Sequence, residues 1–105
     1  MKTLGIVGGL GPETSANFYL DVVRRYREKV PSYPSILLYN VPLDKKVEDN
    51  IIRDSKEEAL LLPYLLHAVD ILSISSDVIA LPCNTAHMFI EEMREEQSAY
   101  HRYDK

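Results

Sequence analysis

The segment Pro82-Cys83-Asn84-Thr85-Ala86-His87 concentrates the reactive chemistry of this 105-residue chain. Cys83 is its only cysteine, placed where the apolar run Val78-Ile79-Ala80-Leu81 gives way to a helical pattern that begins near Thr85 and runs through Phe89, Ile90 and Met93. A thiol between a strand end and a helix start meets unpaired backbone N–H groups and the positive end of a helix dipole, the surroundings in which reactive thiols are found. Asn84 and Thr85 add side chains that, with those N–H groups, could hold a carboxylate beside the sulfur. His87 lies four residues beyond Cys83 and reaches back to it if the helical turn starts there. Against these roles stand ordinary ones: a lone cysteine is a small buried hydrophobe, and His87 a locally satisfied helix residue. Two ligands at this spacing make no metal site.

A second segment with chemical potential is Gly8-Gly9-Leu10-Gly11-Pro12, which closes the apolar run Thr3 to Val7. After a strand, such a turn either just reverses the chain into a helix or cradles a phosphate or carboxylate with its N–H groups. It is not a dinucleotide fingerprint, since the G-x-G-x-x-G order is missing and Pro12 removes a donor; nor does it carry a Walker lysine.

These two segments need a scaffold, and the hydrophobic pattern supplies one. Pro12 suits a first helical turn, and Ala16, Tyr19, Leu20, Val23, Tyr26 and Val30 follow the spacing of one helical face, predicting a helix over Glu13 to Lys29. Pro31-Ser32-Tyr33-Pro34 breaks it, and Ser35 to Val41 reads as a second strand. Asp44 to Arg53 reads as a short helix or ordered loop. Ser55-Lys56-Glu57-Glu58 matches a capping box for a mostly apolar helix from Ala59 to Leu72, in which Pro63 marks a kink or a late start. Asp77 to Leu81 is a third strand and Thr85 to Glu96 a last helix. The alternation predicts an α/β fold: a three-layer parallel sheet with helices on both faces. Ligands of such sheets bind beyond the carboxyl ends of the strands, where the glycine turn and Cys83 both fall. The domain is read as residues 1–96, followed by a divergent polar tail, 97–105. Three strands leave apolar helix and strand surface that something should cover.

The bulk composition narrows the function. A net charge of −4 and a pI near 5.3 provide no field for nucleic acid. Arg24, Arg25, Arg27 and Lys29 read as a solvated helix face. One cysteine forms no internal disulfide, and no apolar stretch approaches the roughly 20 residues of a membrane span, so the expected location is cytoplasmic. His67 reads as structural and His101 as solvated; Asp70 and Asp77 are explained by turn chemistry, and no paired-carboxylate constellation stands out.

Taken together, Gly5-Ile6-Val7-Gly8-Gly9-Leu10-Gly11-Pro12-Glu13-Thr14 with Phe18-Tyr19, and Pro82-Cys83-Asn84-Thr85-Ala86-His87, resemble the first half of the aspartate/glutamate racemase family. The resemblance runs from Met1 to about Glu96, through Val41-Pro42-Leu43. It implies a cofactor-independent isomerase, needing no pyridoxal phosphate, built from two similar α/β halves with an amino acid between them. Two cysteines, one from each half, serve as base and acid; Cys83 matches the first. The resemblance assigns the substrate carboxylate to Asn84 and Thr85, with Gly9, Gly11 and Thr14 helping. The family's arginine after the second strand is replaced here by Asp44-Lys45-Lys46, so Lys45 or Lys46 would meet a substrate side chain as a point charge. The second half and its cysteine are missing, which implies a truncated racemase, a homodimer in which two Cys83 thiols face one site, or a non-catalytic carboxylate-binding module. A one-cysteine decarboxylase or isomerase is a further alternative.

Overall fold

The computed structural model describes residues 2–52, 58–83 and 90–102. Strand β1 (Thr3–Gly8) is followed by α1 (Pro12–Lys29), β2 (Ser35–Asn40), α2 (Lys45–Ile52), a 3₁₀ turn at Glu58–Leu60, α3 (Leu61–Ser73), β3 (Val78–Ala80) and α4 (Ile90–Arg102). The strands form one parallel sheet in the order β2-β1-β3, with Leu4 beside Ile36 and Val78, and Ile6 beside Leu38 and Ala80.

Because β2 and β3 flank β1 on opposite sides, right-handed crossovers carry α1 and α3 to opposite faces. The glycines of β1 record both approaches. A Cβ on Gly8 would lie 3.4 Å from Cβ of Ser15 in α1, and one on Gly5 would lie 3.4 Å from Cβ of Leu72 in α3. The sheet flanked by helices on both faces is therefore as the sequence predicts.

The main core lies on the α3 side. Leu61, Leu65, Ala68, Val69 and Leu72 repeat at three- and four-residue spacing and pack with Val7, Val41, Leu81 and Met93. Each such leucine contributes about 1.5–3 kcal/mol of burial. Pro63 marks a late start and not a kink: it is the third residue of α3, where its missing N–H would have had no intrahelical partner. Asp77 ties β3 to β1, its carboxylate accepting from Thr3 N–H at 2.7 Å while its own N–H donates to Thr3 C=O at 2.9 Å.

Two expectations change. The face of α1 that meets the sheet carries buried Ser15 and half-buried Phe18 and Val22, whereas Tyr19, Leu20, Tyr26 and Val30 are exposed. Glycine at position 8 lets a serine approach, so the closest packing is small against small. The last helix also runs past Glu96 to Arg102, carrying part of the polar tail with it. Its predicted start at Thr85, and the capping box at Ser55, lie outside the described residues. Among the described residues no helix is long and apolar enough to cross a membrane.

Three members of the basic cluster of α1 have local partners. Asp21 accepts from Arg24 at 2.6 Å and Arg25 at 3.0 Å, and Arg27 lies 4.2 Å over the Tyr33 ring. Desolvation pushes the Asp21 carboxyl up, but the hydrogen bonds and charges of the two arginines outweigh it and hold it below the usual range.

Candidate functional site

Three chain segments leave the sheet at the carboxyl ends of its strands and form one rim. Gly9 follows β1, Val41-Pro42-Leu43 follows β2, and Leu81-Pro82-Cys83 follows β3. The last two share a device. Leu43 N–H donates to Val41 C=O and Cys83 N–H to Leu81 C=O, each at 2.9 Å across a proline, so both strands end in a three-residue turn. Since Ile6 pairs with Ala80, Gly9 and Cys83 each lie three residues past a paired position on adjacent strands. Cys83 is half-buried, its side chain packed against the α3-side core.

The glycine turn is held from within. Gly9 has φ 94° and Gly11 φ 72°, values that favour glycine. Ser15 Oγ accepts from Gly9 N–H at 3.2 Å and donates to Gly11 C=O at 3.2 Å, while Ser15 N–H donates to the same carbonyl at 3.1 Å. Thus Gly9 shapes the turn and spends its N–H on Ser15. Helix α1 starts at Pro12 without a side-chain cap, and the N–H groups of Glu13 and Thr14 show no partner among the described residues. They are the unpaired donors of an uncapped helix start, and they stand beside the exposed Thr14 side chain.

Lys45 and Lys46 open α2 on the same rim, both exposed. Asp44 caps that helix: its carboxylate accepts from Lys46 N–H at 2.8 Å and its C=O accepts from Glu48 N–H at 3.0 Å. Gly9, Gly11, Thr14, Lys45, Lys46 and Cys83 therefore stand at one end of the sheet. Asn84, Thr85 and His87 lie outside the described residues. No cluster of metal-ligating groups occurs among the described residues.

Sequence reasoning missed Ser15 and Asn40. The Asn40 side chain fills the space against Gly9, where a Cβ would approach its Oδ1 to 2.7 Å. A serine four residues after Gly11 was the available signal for the first; nothing local marks the second. The structure also brings together a carboxyl pair that was not foreseen. Glu96 on α4 is pushed up chiefly by a hydrogen bond with Asp70 on α3, then by desolvation and Asp70's charge. Asp77 serves the β1–β3 tie described above, and exposed His67 makes an edge contact with Tyr39 at 6.3 Å.

Residues 7–99 match the Asp/Glu/hydantoin racemase family. The chain belongs to that family. It is 32% identical over 98 residues to the broad specificity amino-acid racemase RacX of Bacillus subtilis (strain 168), covering 88% of this chain and 41% of RacX. Its fold matches PH1733, an aspartate racemase homologue from Pyrococcus horikoshii OT3, with a TM-score of 0.75 at 24% identity, covering 91% of this chain and 42% of that one. The chain thus spans about two fifths of the length of either protein. The family match extends to residue 99, three beyond the expected limit at Glu96.

Proposed function

We propose that the rim is one half of a cofactor-independent amino-acid racemase site, in which Cys83 moves the α-proton. The observation that carries this is the placement of a half-buried thiol past β3, one strand from a glycine turn and an uncapped helix start, in a chain of this family. The substrate carboxylate would meet the N–H groups of Glu13 and Thr14, with Thr14 Oγ1, Asn84 and Thr85 beside it. Holding that carboxylate among donors lowers the cost of the carbanion formed when the α-proton leaves. Cys83 Sγ takes the proton from Cα and becomes the thiol; returning it to the same face restores the starting configuration. Inversion needs an acid on the opposite face, which one Cys83 does not supply. Lys45 and Lys46 suit a substrate with a second carboxylate, such as aspartate or glutamate.

The test is ligand protection of the thiol. Iodoacetamide should alkylate Cys83 more slowly as aspartate, glutamate or another amino acid is added, with saturation. A rate indifferent to every amino acid would contradict the placement. The single cysteine also favours a second reading, carboxylate binding without turnover, in which Cys83→Ser retains affinity and no α-proton exchanges in the native chain.

A further inference from the structure

Asn40 ends β2 beside the glycine turn, and its amide has no structural task there. An asparagine at such a position ordinarily turns back to bond the backbone two residues on. Among the described residues the Asn40 side chain makes no hydrogen bond, and the exit of β2 is tied instead by Val41 N–H, which donates to Gly8 C=O at 2.8 Å. The amide lies across Gly9. A Cβ on that glycine would meet Asn40 Oδ1 at 2.7 Å and Cγ at 3.1 Å, so the oxygen end rests over bare backbone and the NH₂ end is turned away from it. Asn40 is exposed, so these donors are open to a ligand.

Their position makes them useful. In the parallel ladder Gly8 pairs with Asn40 on one side of β1, and on the other Ile6 pairs with Ala80, three residues before Cys83. The exit of β1 is therefore flanked by a free amide on the β2 side and a half-buried thiol on the β3 side. Strands β2 and β3 stand two spacings apart, roughly 10 Å. A Cα placed for proton transfer lies roughly 3–3.5 Å from the thiol. A carboxylate or carboxamide two or three bonds farther along then falls on the β2 side, toward an amide that leans over β1.

Resting on the racemase-type site proposed above, we propose that Asn40 is a specificity-determining residue, whose amide donates to the oxygen of a substrate side chain ending in a carboxylate or carboxamide. Lys45 and Lys46 open α2 beyond the same turn and add attraction for a carboxylate, but as point charges on flexible stems they do not fix its oxygen. The short amide packed on Gly9 does.

Protection of Cys83 from iodoacetamide tests the role, with L-aspartate, L-asparagine and L-alanine as probes. In the native chain aspartate and asparagine should protect at lower concentration than alanine. Asn40→Ala should raise the half-protecting concentration of aspartate about ten- to a hundredfold, the range for a hydrogen bond to a charged group, and leave that of alanine within about twofold. Asn40→Asp keeps the shape that packs on Gly9 but sets a negative charge at the contact, so it should exclude aspartate more strongly than asparagine. Circular dichroism should show both variants folded. Equal weakening of aspartate and alanine would make Asn40 a shaper of the turn alone, overturning the proposal while leaving the rim as an amino-acid site. Unchanged aspartate protection in both variants, or a native chain that alanine protects as well as aspartate does, overturns it in the same way. A native chain that no amino acid protects removes the rim reading itself, and this assignment with it.

Discussion

Gly9 and Gly11 both have positive φ, yet replacing them with alanine should cost very different amounts. At Gly9 the φ of 94° is strained for any side chain, worth about 1–2 kcal/mol. A Cβ there would also approach Asn40 Oδ1 to 2.7 Å and the Val41 backbone nitrogen to 3.1 Å. The amide can rotate away, but the Val41 nitrogen cannot yield freely, because its N–H donates to Gly8 C=O at 2.8 Å and fixes the exit of β2. That contact adds about 1–2 kcal/mol of forced displacement. At Gly11, with φ 72°, the nearest atom is Thr14 Oγ1 at 3.4 Å, an ordinary contact, so only the backbone strain of about 1 kcal/mol remains. Urea denaturation should place Gly9→Ala about 2–4 kcal/mol below wild type and Gly11→Ala about 1 kcal/mol below it, at unchanged m-value. At roughly 4–8 °C per kcal/mol for a domain of this size, the two melting temperatures separate clearly. Equal losses, or a Gly9→Ala variant as stable as wild type, would refute the account of how the turn is held.

Other substitutions test separate parts of the structure. Ser15→Ala removes the bridge between Gly9 N–H and Gly11 C=O and leaves the half-buried Gly9 donor without that partner, so urea denaturation should show a loss of about 1–2 kcal/mol. Asp77→Ala breaks the carboxylate clamp on Thr3 N–H and should cost about 1 kcal/mol; amide exchange should show faster opening at the start of β1. Because Glu96 is pushed up in the folded chain, it binds its proton more tightly there than in the unfolded chain. The pair therefore adds stability that is fully present below the unfolded value near 4.5 and is lost as pH rises through the raised folded value. Glu96→Gln should abolish that acid-side gain and leave the variant at least as stable as wild type at pH 7, read from melting curves across pH; parallel profiles for the two proteins would contradict the contact.

Most of the scaffold was legible because its signals are local. The apolar run ending at Gly8, the proline opening α1 and the β-rich run after Pro34 each determine an element without reference to the rest of the chain. Strand alternation with helices then implied a parallel sheet, and its carboxyl rim brought the glycine turn and Cys83 to the same end. The packed side of α1 was not legible. Periodicity identifies an apolar stripe but not what it faces, and here the small contact of Ser15 with Gly8 takes the sheet side while Leu20 faces water. The Asp70–Glu96 pair was hidden for a similar reason: 26 residues separate the two carboxyls, and only the packing of α4 on α3 brings them together. In the glycine turn, the sequence suggested anion-binding N–H groups but not that Ser15 occupies the one on Gly9, since that depends on how the first turn of α1 folds back.

Exchange of the α-proton in deuterated water tests most directly whether Cys83 at this rim moves a proton on an amino acid. Proton NMR of L-aspartate, L-glutamate and other amino acids, incubated with the chain and with Cys83→Ser, would follow loss of the α-proton signal, and chiral analysis would follow configuration. Exchange that outpaces inversion and disappears in Cys83→Ser is the predicted result. A folded chain that exchanges no amino acid, or exchange that survives in Cys83→Ser, would contradict it.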